Sequence, residues 1–239
     1  MRIQGTSWAI VISLILSVNL STSLFCSKGN PVNNDNLVFG IMTDVDGNNY
    51  KTIKIGNQEW MAENLKTTKY RNGDLIRTTS PATLDISGES TPKYQWAYDG
   101  NESNVATYGR LYTWYAVTDS RIVCPTGWHL PSDGEWITLT TYLGGESVAG
   151  GKLKEIGTTH WNSPNTGATN ETGFTAFPSG YRNHYGICYD IGNYGYWWSS
   201  TELSATSAYY RHMSYGNSYV YRNYLAKDYG FSVRCLRDF

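Results

Sequence analysis

Twenty residues, Cys124 to Leu143 (CPTGWHLPSDGEWITLTTYL), constrain the chain more tightly than any other stretch. They combine a cysteine, a turn, an extended aromatic run and a helix start. Pro125, Thr126 and Gly127 form a turn, since proline presets φ and glycine accepts backbone angles that other residues avoid. Trp128 and Leu130 flank His129 in a short alternating run, an extended segment with one face inward that Pro131 ends. Ser132 followed three residues later by Glu135 is a capping box. Its hydroxyl and carboxylate satisfy amide hydrogens that a helix start otherwise leaves unpaired. Trp136, Leu139, Thr140 and Leu143 then recur on one helix face, and Gly144-Gly145 stops the helix. These aromatics read as core.

The rest of the chain must pack around this unit. At 239 residues, 40% hydrophobic and 16% charged, it fits one domain behind an N-terminal leader. A chain of that size buries about 70% of its unfolded surface, so it needs no metal or dense disulfide framework to fold. The net charge of -1 gives no reason to expect a nucleic-acid partner.

Arg2 precedes the apolar run Trp8 to Val18, and Ser21-Thr22-Ser23 supplies small residues, so residues 1–25 read as an export signal. The run falls short of the about 20 apolar residues that span a membrane, which leaves an uncleaved anchor as the lesser reading. Cleavage after Ser23 releases a soluble protein, periplasmic or secreted. Lipidation of Cys26 instead makes an outer-membrane or cell-surface lipoprotein, joined to the membrane by its anchor. Residues 26–40 are a polar tether, and the domain is expected over 41–239.

Within the domain, Asp46-Gly47 and Gly56-Asn57 are turns that set off two or three short strands over residues 43–65. Asp44-Val-Asp46-Gly47-Asn48 is similar to the start of a calcium loop, but the spaced ligands and distant Glu are missing, so it reads as turn chemistry. Residues 66–107 are expected to be mostly loop. Tyr108 to Val117 is a buried strand or a short helix, which periodicity alone does not separate. Val148 to Ile156 is a second short helix, weakened by Gly150-Gly151. After a loop over 157–173, Phe174 to Phe177 reads as a strand and Pro178-Ser-Gly180 as a turn.

Twelve of the 20 tyrosines fall between Tyr181 and Tyr229, among Asn, Ser, Gly and His. That mixture suits adaptable binding surfaces, because tyrosine supplies area at low entropic cost and the small polar residues supply hydrogen bonds. The plain alternative is an antiparallel sheet with turns at Gly195, Gly216 and Gly230. Phe231, Val233 and Cys235 alternate with Ser232, Arg234 and Leu236, a terminal strand.

In an exported chain Cys124 and Cys235 are the natural disulfide pair. Closing a loop of about 110 residues stabilises by roughly 4 to 5 kcal/mol at most in the chain-entropy model. Cys188 is left over and, with no basic neighbour closer in sequence than His184, reads as buried and reduced.

QEWMAENL (58–65), YGRLYTWYAV (108–117), CPTGWHLPSDGEW (124–136), TNETGFTAFPSGYR (169–182), YWWSSTE (196–202) and GFSVRCLRD (230–238) together resemble the Fibrobacter succinogenes major paralogous domain. The resemblance covers residues 43–239. It implies an exported or lipid-anchored surface protein of Bacteroidetes or Fibrobacteres. It also implies an α+β fold: a single C-type lectin-like domain, near the sulfatase-modifying-factor folds, with short antiparallel strands, one or two short helices and long loops. Lectin-like folds often bridge an earlier cysteine to the final strand, which agrees with Cys124 and Cys235.

The resemblance stops short of two activities. Calcium-dependent lectins use Glu-Pro-Asn or Gln-Pro-Asp plus Trp-Asn-Asp, where this chain has Ser163-Pro164-Asn165 and Trp161-Asn162-Ser163. Formylglycine-generating relatives need a nearby cysteine pair. The four histidines lack metal-ligand spacing, and no nucleophile elbow or phosphate loop is present. The expected function is therefore a non-enzymatic surface module without cofactor or metal that binds glycan or protein. Trp197, Trp198, Tyr209 and Tyr210 are expected to stack on the ligand, and Arg211 and Asn223 to hydrogen-bond it beside Tyr219 and Tyr221. Two alternatives are a self-associating adhesive component and a variable protein diversified by reverse transcription over codons about 205 to 230.

Overall fold

The computed structural model describes Met1 and residues 37–238. The export signal, Cys26 and most of the tether lie outside the described residues. Strand β1 (Phe39–Thr43) begins inside the stretch read as tether, and with β2 (Asn49–Ile55) and β3 (Gln58–Met61) forms an antiparallel meander. Asp44 shapes the first turn, its Oδ1 accepting from the backbone N–H groups of Asp46 and Asn48 at 2.9 Å each. Asp46 accepts from the backbone and hydroxyl of Thr68 and pairs with Lys69, so these carboxylates hold a turn.

Residues 66–107 are mostly loop, with β4 (Gln95–Trp96), two 3-10 turns at Tyr98–Gly100 and Glu102–Asn104, and the single-turn helix α1 (Val105–Tyr108) near their end. The next segment realises both alternatives in succession, β5 (Leu111–Thr113) and then α2 (Trp114–Val117). Strand β6 (Trp128–His129) leads into α3 (Asp133–Tyr142), where the expected capping box is formed. The Glu135 amide donates to Ser132 Oγ at 3.2 Å, and the Ser132 amide to Glu135 Oε2 at 2.7 Å. Trp136, Leu139, Thr140 and Leu143 are all buried.

Helix α4 (Glu146–Leu153) shows why its two glycines are there. A Cβ on Gly150 would lie 2.4 Å from the Tyr219 carbonyl oxygen, and one on Gly151 2.4 Å from that of Gly167. Close backbone approach outweighs the propensity penalty.

The remaining strands are β7 (Ser179–Arg182), β8 (Cys188–Ile191), β9 (Tyr194–Glu202), β10 (Ser207–Ser214), β11 (Val220–Ala226), β12 (Gly230–Phe231) and β13 (Leu236–Arg237). They complete a mixed α and β architecture that is mostly sheet. One open sheet has the order β1-β2-β3-β13-β6; the other runs β11-β10-β9-β7-β12-β5-β4, with β8 paired to β7. All named pairings are antiparallel except β7 with β9.

Three expectations are corrected. Phe174 to Phe177 is not a strand. Thr175 has φ +54°, and the carbonyls of Phe174 and Thr175 accept from the fully buried Arg234 guanidinium instead of a neighbouring strand. Ser179 and Gly180 belong to β7, and Gly195 and Gly230 lie inside β9 and β12, so only Gly216 marks a turn. The terminal strand is two pieces. Phe231 pairs with Tyr112 in one sheet, whereas Leu236 pairs with Trp60 and His129 in the other. Residues 230–236 are buried throughout, so alternating chemistry there reports no alternation of exposure.

The Cys124–Cys235 disulfide is formed, with Cα atoms 6.0 Å apart, and ties the lead-in to α3 to this last crossing. Cys188 is free and half-buried. Burial pushes its thiol up to about 11, which keeps it protonated at neutral pH.

Candidate binding surface

Strands β9, β10 and β11 lie side by side, and their register sorts side chains onto two faces. Trp197 is opposite Arg211, which is opposite Arg222; Tyr196 is opposite His212, which is opposite Tyr221. Successive residues of a strand point to opposite faces, so these two rows belong to different surfaces.

The Trp197 row faces α3 and α4, with Trp197 and Arg211 in the core and Arg222 at its exposed end. Trp197 is fully buried and donates its indole N–H to Asn64 Oδ1 at 2.9 Å. Arg211 is also fully buried and donates to Asp133 Oδ1 at 2.7 Å, at the first turn of α3. Arg222 donates to the same carboxylate at 2.9 and 3.0 Å while lying 4.0 Å from the Tyr209 ring. Trp198 sits on the opposite face but is fully buried beneath Phe231, and its N–H donates to the Tyr112 carbonyl at 2.8 Å. Tyr210 is 7% exposed and packs on the same ring. Trp197, Trp198, Tyr210 and Arg211 are thus corrected from ligand contacts to core, because their faces and donors are already occupied. Tyr209 is half-buried under Arg222, while Tyr219, Tyr221 and Asn223 are exposed as a contact surface requires.

The other face carries a continuous file of rings that the sequence reading missed. From β8 to β11 it runs Tyr189, Tyr181, Tyr196, His212, Tyr221 and Tyr219, with successive centroids 5.5, 5.1, 5.6, 4.6 and 5.4 Å apart. His212 and Tyr221 are nearly parallel at 11°, and Tyr221 and Tyr219 at 18°. Rings stacked this way cover one another's faces and turn their edges outward. The sequence did hold a signal for this set: adjacent pairs such as Trp197-Trp198 and Tyr209-Tyr210 cannot share a face, whereas Tyr194, Tyr196 and Trp198 can.

Hydrogen bonding divides the file. Tyr196 donates to Asp190 Oδ2 at 2.7 Å, and Tyr221 accepts from Asn217 Nδ2 at 3.1 Å. The hydroxyls of Tyr181, Tyr189 and Tyr219 make no hydrogen bond among the described residues. Burial, reinforced by the Asp190 charge, pushes the Tyr181 phenol up to about 12, so it donates at neutral pH. Burial pushes His212 down to about 4, so its imidazole is neutral, and its buried Nδ1 has no partner. The surface is aromatic, carries the Asp190 carboxylate beside Tyr196 and is rich in open hydroxyls.

Other chemistry-bearing residues are held elsewhere. His129 contacts Asp238 at 2.6 Å through Nδ1 and Glu135 at 3.0 Å through Nε2, and His160 contacts Glu155 at 2.8 Å. Asn165, the end of the lectin-motif counterpart, donates to the Glu155 and Gly157 carbonyls. Among the described residues no three His, Cys, Asp or Glu side chains group as metal ligands, and no helix is long and apolar enough to cross a membrane. Cavities of about 350 Å³ beside Cys124 and about 340 Å³ beside His160 lie off the ring file.

Comparison with known proteins gives one match. A family model described as the Fibrobacter succinogenes major domain matches residues 53–237. No curated protein and no solved structure matches.

Proposed function

The chain belongs to the Fibrobacter succinogenes major domain family, and from that premise we propose that it is an exported, cell-surface, non-enzymatic binding module whose tyrosine file recognises a partner protein. One observation carries the reading: the unbroken run of rings from Tyr189 to Tyr219, with partnerless hydroxyls along it. Tyrosine is enriched at protein interfaces, where one end of the side chain is apolar and the other wet. Mutual stacking favours protein over glycan, because a sugar ring stacks on an open aromatic face and the file offers mainly edges. A lectin-like fold is part of the same reading, supported by the disulfide to Cys235 and by the pairing of terminal β13 with β3.

Self-association is the second reading. Strand β11 is a sheet edge, and Tyr221, Arg222, Asn223 and Tyr224 are exposed on both of its faces. Unpaired edges template pairing with another chain.

The test is an array of purified surface proteins and glycans probed with the parent, a Tyr189→Ser, Tyr219→Ser, Tyr221→Ser variant, and Tyr142→Ser as an exposed control. Saturable binding to a protein that the triple variant loses and the control keeps is the expected result. Binding confined to glycans overturns the protein assignment, and binding indifferent to the triple change overturns the surface. Concentration-dependent sedimentation without array binding favours self-association.

A further inference from the structure

Away from the tyrosine file, a cavity of about 440 Å³ is lined by Tyr70, Leu75, Arg77, Thr91, Lys93 and Arg121. Three of six lining residues are cations, in a chain whose net charge is -1. The carboxylates nearby account for only part of that charge. Asp119 is almost fully buried and accepts from Arg121 at 2.9 and 3.0 Å and from Lys93 at 2.8 Å, and Asp74 contacts Arg121 at 3.2 Å. These contacts occupy the Arg121 fork but leave Lys93 further donors. Arg77 has no carboxylate partner among the described residues; its guanidinium lies 5.1 Å from the Tyr94 ring.

Tyr70 forms part of the cavity wall. It is 1% exposed, its ring lies 4.0 Å from the Arg121 guanidinium, and its hydroxyl has no hydrogen-bond partner. Burial, then the Asp119 charge, pushes the phenol up to about 12, so the group is a donor at neutral pH. Arg77 and Lys93 therefore offer unfilled donors around one cavity that holds excess positive charge.

We propose that this cavity binds a sulfate or phosphate group, with Arg77 and Lys93 pairing its oxygens. Donors on two separate side chains suit a tetrahedral oxyanion, which presents oxygens in several directions. A carboxylate has two oxygens in one plane and is satisfied by a single arginine fork. The group arrives either as the free ion or as an ester on a larger molecule. None of the lining residues belongs to the tyrosine file, so this proposal stands apart from the protein-binding reading.

The test is calorimetric titration of the protein with inorganic sulfate, inorganic phosphate, glucose 6-sulfate and glucose, at constant ionic strength to separate binding from screening. The expected result is saturable binding of the oxyanions and none of glucose. Arg77→Gln is expected to weaken binding at least tenfold and Lys93→Gln about threefold, while Lys54→Gln, an exposed cation outside the cavity, leaves it unchanged. Tighter binding of glucose 6-sulfate than of free sulfate identifies an ester as the ligand, and the reverse identifies the ion. Arg77 is exposed, so its variant is expected to fold, checked by circular dichroism. No saturable binding, or equal affinities for the parent and Arg77→Gln, overturns the proposal.

Discussion

Two faces of one sheet use the same vocabulary to opposite ends. On the inner face of β9 and β10, Trp197 and Arg211 are fully buried and each polar end meets a named partner, Asn64 or Asp133. On the outer face, one residue away along the same strands, Tyr196 and His212 are half-covered, and beside them ring hydroxyls stand open. Aromatic content is high on both. What separates them is whether a helix closes the face, as α3 and α4 do on the inner side. An aromatic row that is covered, by α3 and α4 on the inner face or by Phe231 over Trp198 and Tyr210 on the outer, is core, and one left uncovered is available to a partner.

The largest effect that breaks this contrast is expected at Trp197. Trp197→Ala opens a cavity and removes one of the two donors to Asn64 Oδ1, and urea unfolding is expected to register a loss of about 4 kcal/mol. Asp133→Ala comes next. It leaves the Arg211 guanidinium buried without its counter-charge, at a cost of about 3 kcal/mol or more. If either variant proves as stable as an outer-face tyrosine variant, the division of the sheet is wrong.

The outer face has its own signature in pH. His212 titrates near 4 when folded and near 6.5 as a free side chain. Above 6.5 both states are neutral and His212 contributes no pH dependence. As pH falls from 6.5 to 4 the unfolded chain takes up a proton that the folded chain refuses, so stability falls by up to about 3 kcal/mol and then levels off. Burial acts to raise Asp133 and Glu135, but Arg222 and Arg211 around the first, and the Ser132 amide and hydroxyl with His129 around the second, together hold both below their ordinary values. Their contribution is complete above the ordinary carboxylate range and is lost at lower pH, beneath most of the histidine window. His212→Gln is expected to flatten the slope between 6.5 and 4; an unchanged slope would mean that another group carries it. The smallest effect is expected at Tyr221→Ala, within about 0.5 kcal/mol of the parent, because the ring is exposed at the sheet edge. The same variant should lose partner binding, which separates surface from scaffold.

Much of the framework was legible where local chemistry is self-contained. The capping box at Ser132 and Glu135, the α3 face, the meander before Met61 and the Cys124–Cys235 pair all follow from spacing or from a short motif. Legibility failed where a distant residue supplies the partner. The extended-looking Phe174 to Phe177 is held by Arg234 instead of a ladder. The glycines of α4 answer to carbonyls at Gly167 and Tyr219.

The candidate surface divides the same way. The sequence alone determined that tyrosine concentrates after residue 180, and that strand parity forbids Trp197 and Trp198 from sharing a face. Only the tertiary structure decided which parity was covered, because that depends on where α3, α4 and Phe231 come to rest. Periodicity fixes relative side-chain direction within a strand, but burial is a property of what packs against it, and that is set by contacts between residues far apart in the chain.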